Sequence, residues 1–368
     1  MRVALLLLVL AVLAPNALAQ INVPTFSESV DYEPRAWPTK KKKKDKSSEG
    51  DKKDAKGSEA GSTPMTSTPR PKELSIEVSV FSNTGSIVSG LSAPNFKVFI
   101  DGQERGVSSV ETASSPINFI FLLDASPSGD MRIKEIQEYA KDLIERLGPN
   151  DRAMVIAFNE KLKVLAELTG DKQVLAKAIE KMKMAPGTSI YDALGELFEK
   201  RLPTISGRTA IVLVTDGVDT TSKKFGYESS LLAAERAGVP VFPVYFDTYA
   251  NLPVLGSRLP PGLAAILPQL SAQNAAARQQ ERYIGQVYLN DLIHLSGGRA
   301  VAPNDANAVR KRISSEIPEE LRSRYVIKLE APEPVPSRRR KIRVRVDRPN
   351  VLVLARASYF DGLTTSAK

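Results

Sequence analysis

The chain of 368 residues contains no cysteine and one histidine. The lack of cysteine excludes disulfide frameworks, thiolate metal sites, cysteine nucleophiles and cysteine-linked lipid anchors. The single histidine, His294, excludes histidine-rich metal sites and leaves one candidate partner for a serine–histidine–aspartate triad. His294 lies among Leu292, Ile293 and Leu295, which favours a structural role over that of a base.

Long apolar runs are also missing, except at the N-terminus. Arg2 precedes an apolar stretch from Val3 to Leu13, and Ala17-Leu18-Ala19 provides a small-x-small end. This layout predicts a secretory signal peptide over residues 1–19 with cleavage before Gln20. A retained membrane span is the weaker alternative because the run is shorter than about 18 residues. We therefore expect an exported protein, secreted or periplasmic, without a transmembrane anchor.

The positive charge is concentrated in one segment. Residues 38–72 contain eleven basic and five acidic residues, which accounts for six of the nine net positive charges of the chain. This stretch has no aromatic residue, so we predict a disordered Lys-rich linker over residues 20–73. The run Lys40–Lys44 offers a contact for an anionic surface such as a cell envelope, but a solvated linker is the favoured interpretation.

Two flanking regions, residues 74–115 and 324–360, show the alternation of antiparallel β-strands, and residues 361–368 form a tail. Isoleucines and valines occupy every second position in each region, as in Ile342, Val344 and Val346. Each region has only a few strands, so we predict that the two halves pair into one β unit. Arg343 and Arg345 fit the solvent face of a sheet better than a nucleic-acid site, and no nucleic-acid partner is expected.

The middle of the chain, residues 116–323, follows a different pattern. Short continuous apolar runs alternate with amphipathic helical segments, which predicts strands buried on both faces and helices between them. The runs are Ile117–Leu123, Ala153–Phe158, Thr209–Val214 and Val239–Phe246, and the helical segments are Met131–Leu147, Tyr191–Arg201 and Glu228–Ala237. The predicted fold is α/β, a doubly wound and mostly parallel sheet inserted in the antiparallel β unit.

Oxygen-bearing side chains follow the predicted strands at the edge where such sheets bind ligands. Asp124, Ser126 and Ser128 come after the first strand, and Asp216 lies in the sequence Thr-Asp-Gly after a later strand. Thr188 precedes a helix. Two carboxylates and three hydroxyls form a hard-oxygen set that suits Mg²⁺ or Mn²⁺. Because hydroxyl ligands are neutral, such a cation retains positive charge that a carboxylate of another molecule can satisfy.

The order of these residues resembles the metal-ion-dependent adhesion site of von Willebrand factor type A domains, over roughly residues 116–323. The segment Ala93–Gly102 and the sequence RKIRVRVDRPNVLVLARASYF near the end are similar to secreted bacterial proteins of the acidobacterial VWFA-related family. The resemblance implies that the three hydroxyls bind the metal directly. It also implies that the two aspartates bind directly or through water, and that a partner's carboxylate completes the shell.

The function expected from this resemblance is a metal-dependent protein-binding or adhesion module without catalytic residues. Pro127 departs from the glycine that many family members carry there and restricts the loop backbone, which favours a metal-free structural module as an alternative. A metal-dependent phosphohydrolase of the haloacid-dehalogenase type is a weaker alternative, because its second acid would be needed at Ser126. Neither a phosphate-binding Gly-rich loop nor a nucleophile elbow occurs.

A long segment, residues 247–282, separates the last predicted strand from the next helix. Connections of this kind usually have two to six residues, and long ones are commonly binding loops. The segment from Ser271 to about Gln280 is rich in Ala and Gln and could be helical. We expect the segment either to cover the α/β core or to border the metal edge and help select the partner.

Overall fold

The computed structural model describes residues 73–126, 132–245, 261–300 and 312–361, without the side chains of residues 132, 261–275, 312 and 313. The predicted signal peptide, most of the predicted linker, including Lys40–Lys44, and residues 362–368 lie outside the described residues. So do Pro127 and Ser128. Within the described ranges, no helix combines the length and apolarity needed to cross a bilayer.

The flanking regions together form two antiparallel four-stranded sheets. One sheet has the strand order β12-β1-β10-β4 and the other β13-β11-β2-β3. The strands from the first region are β1 (Glu73–Ser82), β2 (Phe96–Ile100), β3 (Gln103–Arg105) and β4 (Val107–Thr112). Those from the second are β10 (Tyr325–Glu330), β11 (Arg339–Val346), β12 (Val351–Leu354) and β13 (Ser358–Phe360).

Side-chain alternation decides which face of each strand is buried. In β11, Ile342, Val344 and Val346 are buried, whereas Arg343 and Arg345 are not. The prediction that these two arginines lie on the solvent side of a sheet is therefore confirmed. The inward-facing residues of both sheets form one apolar cluster, because strands of period two bring alternate residues to the same side.

The middle of the chain forms a five-stranded sheet with the order β7-β6-β5-β8-β9. Its strands are β5 (Ile117–Asp124), β6 (Arg152–Phe158), β7 (Leu162–Thr169), β8 (Arg208–Thr215) and β9 (Val241–Tyr245). All pairs are parallel except that of β6 with β7. The helices are α1 (Arg132–Glu145), α2 (Lys172–Glu180), α3 (Ile190–Glu196), α4 (Tyr227–Ala237), α5 (Pro261–Ser296) and α6 (Ile317–Arg322).

Helices cover both faces of this sheet. Residues of α1, α2 and α6 share one buried cluster with the strands, and residues of α3, α4 and α5 share the other. All eight residues of β5 are buried, which explains why its sequence is almost continuously apolar. The predicted α/β class, with a mostly parallel sheet and helices on both faces, is confirmed.

Two features differ from the sequence prediction. The antiparallel strand β7 and the helix α2 were not predicted. Strand β7 gives no clear signal because it is a partly exposed edge strand without a continuous apolar run. The helix that the sequence indicated from Ser271 to about Gln280 is present, but it is longer than expected, since residues 261–282 are the first part of α5. Pro261 is compatible with this helix because the first helical position needs no backbone N–H donor. Residues 246–260 lie outside the described residues.

The β unit adjoins the amino ends of the parallel strands. The chain enters and leaves the α/β domain at adjacent points, where the backbone N–H of Ala113 donates to the carbonyl of Arg324 at 2.8 Å. Glu77 of β1 accepts a hydrogen bond of 2.7 Å from Arg208 at the start of β8. Burial would raise the pKa of Glu77, but Arg208 and Arg324 hold it below its ordinary value. Charge pairing therefore joins the two parts of the molecule.

Asp151 fixes the amino end of the central strand. Its carboxylate accepts hydrogen bonds from the backbone N–H groups of Ile117 and Gly148, both at 2.9 Å, and from Arg322 of α6 at 2.6 Å. Burial opposes ionisation, but these donors together hold the pKa of Asp151 below its ordinary value.

We expect Asp151→Asn to lower the free energy of unfolding by about 2–4 kcal/mol, since a buried carboxylate and its arginine lose their pairing. Urea titration against Glu135→Gln, which removes an exposed carboxylate of α1, measures the effect. The folded pKa of Asp151 lies below the unfolded one, so its contribution is present above about pH 4 and is lost as pH falls through the folded pKa. The difference in the free energy of unfolding between wild type and Asp151→Asn should therefore become smaller in acid. A difference that stays constant as pH falls would contradict this assignment.

Candidate metal centre

The two aspartates singled out in the sequence lie at the carboxyl edge of the parallel sheet. Strands β5 and β8 are neighbours, with Leu123 opposite Val214. Asp124 therefore ends its strand beside the point where Asp216 follows the next one. The two residues are 4% and 5% exposed, so neither carboxylate has ordinary access to solvent.

Asp124 is held by donors on both of its oxygens. The backbone N–H of Ser126 donates to Oδ1 at 3.0 Å, and the hydroxyl of Thr215 donates to Oδ2 at 2.8 Å. Burial and the neighbouring charge of Asp216 raise the pKa of Asp124 to about 7, although the hydrogen bonds from Ser126 and Thr215 oppose that rise. Two carboxylates held close together in a buried setting repel each other when both are ionised, so a positive charge beside them would stabilise the ionised pair.

Asp216 lies in a tight turn that its own neighbours stabilise. Its Oδ1 accepts a hydrogen bond of 3.0 Å from the backbone N–H of Val218. The N–H of Gly217 donates to the Thr215 hydroxyl at 3.0 Å, and Gly217 adopts a positive φ of 79°. A single buried threonine hydroxyl therefore connects the turn at Asp216 to the carboxylate of Asp124.

Backbone hydrogen bonds bring the loop that carries Thr188 to the same edge. The N–H of Ala185 donates to the carbonyl of Ala125 at 3.0 Å, next to Ser126. The N–H of Thr188 donates to the hydroxyl of Thr220 at 2.9 Å, and the N–H of Thr220 returns a bond of 2.8 Å to the carbonyl of Thr188. The side chain of Thr188 is buried. This loop is therefore fixed to both the β5 and the β8 ends.

The loop after Asp216 is in turn anchored to the start of α3. Asp192 accepts hydrogen bonds from three consecutive backbone N–H groups, those of residues 223–225, at 2.7–3.0 Å. Asp219 accepts one from the N–H of Tyr191 at 3.3 Å and another from the hydroxyl of Ser222 at 2.5 Å. These contacts hold the protein framework around the edge in position.

The structure thus brings together four of the five predicted site residues, Asp124, Ser126, Thr188 and Asp216, while Ser128 lies outside the described residues. Within the described ranges, no cluster of three or more His, Asp or Glu residues could hold a metal. The site is instead two carboxylates with hydroxyls, a hard-oxygen set that fits a Mg²⁺-type cation and fits zinc less well.

His294 is remote from this edge. It lies in the last turns of α5, where Ser296 accepts a hydrogen bond of 3.1 Å from the N–H of Val241 at the start of β9. Burial lowers the pKa of His294, and Asp291 opposes that shift. Its position at the amino end of the strands agrees with the structural role predicted from its neighbours.

The sequence did not identify the residues that orient the site. Thr215, Thr220 and Asp192 provide hydrogen bonds to the proposed ligands or their loops. The role of Thr215 could have been predicted from the sequence. It lies at the end of a buried strand, directly before an acid, and a buried hydroxyl needs a hydrogen-bond partner. Thr220 and Asp192 form contacts between distant parts of the chain, which no local pattern indicates.

Helix α5 passes directly against the turn at Asp216. A Cβ atom on Gly285 would lie 2.6 Å from the carbonyl oxygen of Gly217, and one on Gly217 would lie 2.9 Å from the carbonyl oxygen of Gly285. Two backbones therefore touch without side chains between them, which only glycine permits. Upstream of Gly285, α5 continues to Pro261, and residues 276–281 are exposed.

We expect Gly285→Ala to destabilise the protein by about 1–3 kcal/mol, because the new methyl group overpacks a backbone contact. The sign of this change in stability is informative, because a glycine-to-alanine substitution inside a helix otherwise stabilises a protein by roughly 0.5–1 kcal/mol. Gly106→Ala is the matched control, because a Cβ there meets nothing within 4 Å. Thermal and urea unfolding measure both variants. An increase in stability for Gly285→Ala would show that α5 is not in contact with the turn.

Comparison with known proteins identifies the domain that contains this edge. Residues 119–218 match the model of the von Willebrand factor type A domain. An uncharacterized protein of Synechocystis sp. is 35% identical over 109 residues, which cover 28% of this chain and 25% of that protein. The chain therefore spans about a quarter of the length of this relative.

Solved structures also show partial similarity. A von Willebrand factor type A protein from Catenulispora acidiphila is 12% identical, with 82% of this chain and 78% of that chain covered and a TM-score of 0.39. Proximal thread matrix protein 1 from the mussel byssus, with a zinc-occupied MIDAS motif, is 15% identical, with coverages of 61% and 50% and a TM-score of 0.41. BatB from Bacteroides thetaiotaomicron is 20% identical, with coverages of 56% and 100% and a TM-score of 0.39.

Proposed function

Since this chain contains a von Willebrand factor type A domain, we propose that the carboxyl edge of its sheet binds one Mg²⁺-type cation and, through it, a carboxylate of a protein partner. The ligands are Asp124, Ser126, Ser128, Thr188 and Asp216. The signal peptide predicted from the sequence supports binding outside the cytoplasm, in a secreted or periplasmic protein. The proposal rests chiefly on the two buried carboxylates, because burial and the neighbouring charge of Asp216 raise the pKa of Asp124.

A divalent cation would neutralise the charges that repel each other at this edge. Burial and like charge disfavour the ionised pair, and a cation between or beside the carboxylates reverses that preference. The hydroxyls of Ser126 and Thr188 add oxygen ligands without adding negative charge. A cation held in this way lacks a strong anionic ligand on its solvent side, which is the place for an acidic residue of the partner.

The chain's own residues would determine the orientation of the bound acid. Thr215 keeps Asp124 in position through a bond of 2.8 Å, and Thr220 keeps the Thr188 loop in position through one of 2.9 Å. Because these bonds are made within the protein and do not involve the ligand, they reduce the conformational entropy that binding has to remove. This arrangement favours a binding function over a phosphohydrolase of the haloacid-dehalogenase type, for which Ser126 would have to be an acid.

We expect saturating Mg²⁺ or Mn²⁺ to raise the melting temperature of the wild-type protein. A ligand at a hundredfold excess over its dissociation constant adds about 2.7 kcal/mol to the free energy of unfolding. Asp124→Asn and Asp216→Asn should abolish this increase. In the absence of metal, we expect neither variant to be less stable than wild type by more than about 1 kcal/mol, because each removes a like-charge repulsion.

Asp347→Asn is the matched control, since it removes an exposed carboxylate of the β unit. This variant should keep the full metal response. The absence of a metal response in the wild-type protein would instead support a metal-free structural module, and equal increases in wild type, Asp124→Asn and Asp216→Asn would show that the metal binds elsewhere.

Partner capture from envelope fractions tests the second part of the proposal. We expect immobilised wild-type protein to retain a partner in Mg²⁺, to release it with EDTA, and to lose it in the Asp216→Asn variant. Methyl esterification or amidation of acidic side chains in the fraction should prevent capture. Retention that survives both EDTA and amidation would contradict a carboxylate bound through a metal.

A further inference from the structure

The junction between the β unit and the α/β domain contains three arginines around one glutamate. These are Arg208 at the start of β8, Arg324 directly before β10, and Arg356 between β12 and β13. Burial would raise the pKa of Glu77, but the charges of all three arginines act to lower it. We call the three residues the arginine cluster. A single carboxylate therefore faces three guanidinium groups.

Two members of the arginine cluster have acceptors within the protein. Arg208 donates to both carboxylate oxygens of Glu77, at 2.7 and 3.1 Å. Arg324 donates to Glu320 at 3.2 Å and to the carbonyl of Gly297 at 2.8 Å. Even so, Nη1 of Arg208 and Nε of Arg324 are buried without a hydrogen-bond partner in the described part of the chain. The junction therefore has more donors than acceptors.

Arg356 is the member of the cluster that lacks an acceptor. Among the residues that the structure describes, its guanidinium has neither a hydrogen bond nor an ion pair at contact distance. Its guanidinium lies 5.6 Å from the centre of the Tyr359 ring, which stabilises the charge but accepts none of the planar N–H donors. Burial lowers the pKa of Arg356, and the attractions of Tyr359 and Glu77 oppose that shift.

The backbone at Arg356 is held against the end of α5. A Cβ atom on Gly297 would lie 2.7 Å from the backbone nitrogen of Arg356. The N–H of Ala357 donates to the carbonyl of His294 at 3.2 Å. Because Gly297 also accepts the bond from Arg324, this end of α5 brings Arg324 and Arg356 to the same place. The position of Arg356 in the cluster is therefore set by its backbone.

We propose that the arginine cluster binds a small oxyanion, such as sulfate, phosphate or a carboxylate, through the guanidinium of Arg356. The planar fork of a guanidinium donates two parallel hydrogen bonds to two oxygens of such an ion. A water molecule could accept one of these bonds, but it would leave the charge uncompensated. Since Arg356 belongs to the β unit and Arg208 to the α/β domain, a bound anion would stabilise the junction between them.

The burial of the arginine cluster limits the size of the ligand. The side chains of Arg208 and Arg324 are 12% and 3% exposed, whereas Glu77 and Arg356 are partly exposed. The cluster is therefore open to solvent at one guanidinium. Nucleic acids bind through several exposed cations at once, which this arrangement does not offer. A chloride ion is a single acceptor and does not match the fork of the guanidinium.

The arginine cluster and the metal edge belong to opposite ends of the parallel sheet. Arg208 begins β8, and Asp216 follows directly after its last residue. The eight residues of β8 separate these ends by about 26 Å. Oxyanion binding is therefore independent of the proposed metal function, and EDTA should not affect it.

Thermal unfolding of the full chain tests the proposal, with sulfate, phosphate and acetate each compared with chloride at equal ionic strength. We expect at least one of these ions to raise the melting temperature of the wild-type protein in a saturable way, because it binds the folded state. Sulfate and phosphate also stabilise folded proteins in general, since they are excluded from the protein surface. Arg356→Met should retain only this general effect.

Arg348→Met is the matched control, since it removes an exposed arginine of the β unit. This variant should respond to the ions like the wild-type protein. By calorimetry, we expect Arg356→Met to weaken binding of the ion by about tenfold or more, because hydrogen bonds between charged groups are lost. A response to sulfate and phosphate would identify a tetrahedral ion as the ligand, and a response to acetate would identify a carboxylate.

A gain of affinity protects the test against misfolded variants. Glu77→Gln removes the negative charge that the arginine cluster surrounds, so binding of the oxyanion should become stronger by about tenfold. This gain should disappear when Arg356→Met is added to Glu77→Gln. Affinity should also be the same with and without EDTA.

Two results would overturn the proposal. If no ion gives a saturable response in the wild-type protein, the cluster has no oxyanion site. If wild type and Arg356→Met respond equally, the ions act through the general salt effect or at another surface. A lower melting temperature of Arg356→Met in chloride, together with equal responses, would show that the guanidinium already has an acceptor within the protein.

Discussion

The parallel pairing of β5 with β8 is the constraint on which the candidate site depends. Parallel strands in register end at the same edge, so the residues that follow them meet however far apart they are in sequence. Here that pairing forces Asp124 and Asp216 together in a buried setting, which destabilises the ionised pair. The surrounding threonines and loops then have two tasks, to satisfy the hydrogen bonds of these carboxylates and to keep them in position. A cation is the ligand chemistry that this electrostatic arrangement favours.

Much of the fold could be predicted because the burial of each strand determines the pattern of apolar residues in its sequence. The central strands are apolar almost without interruption, since helices cover both of their faces, and β11 alternates because one of its faces meets solvent. Strand β7 escaped prediction because an edge strand is neither fully buried nor cleanly alternating. The full length of α5 escaped because its prolines and its exposed Ala- and Gln-rich stretch carry no amphipathic period.

Only those side chains of the candidate site that lie next to strand or helix ends could be predicted from the sequence. Asp124, Ser126 and Asp216 could be placed from local order, and Thr188 from its place before a helix. The bond from Thr215 to Asp124 and the contact of Gly285 with Gly217 join residues that are far apart in the chain. Such contacts depend on tertiary packing, which a single sequence does not record. The sequence thus specifies which atoms are available for a ligand, and the fold specifies how they are oriented.

The adjacent entry and exit of the α/β domain have a mechanical consequence. Strand β4 leads into the domain and β10 leads out of it, and Thr112 lies opposite Tyr325 at the end where the two strands meet it. A tensile force between the carboxyl edge and the β unit would therefore pull on the same end of two neighbouring antiparallel strands. Under a force applied in this way, the backbone hydrogen bonds between β4 and β10 would break one after another, because the force acts on one bond at a time. The ion pairs of Glu77 with Arg208 and Arg324 bridge the same junction, so they would bear the force before the first strand bond opens.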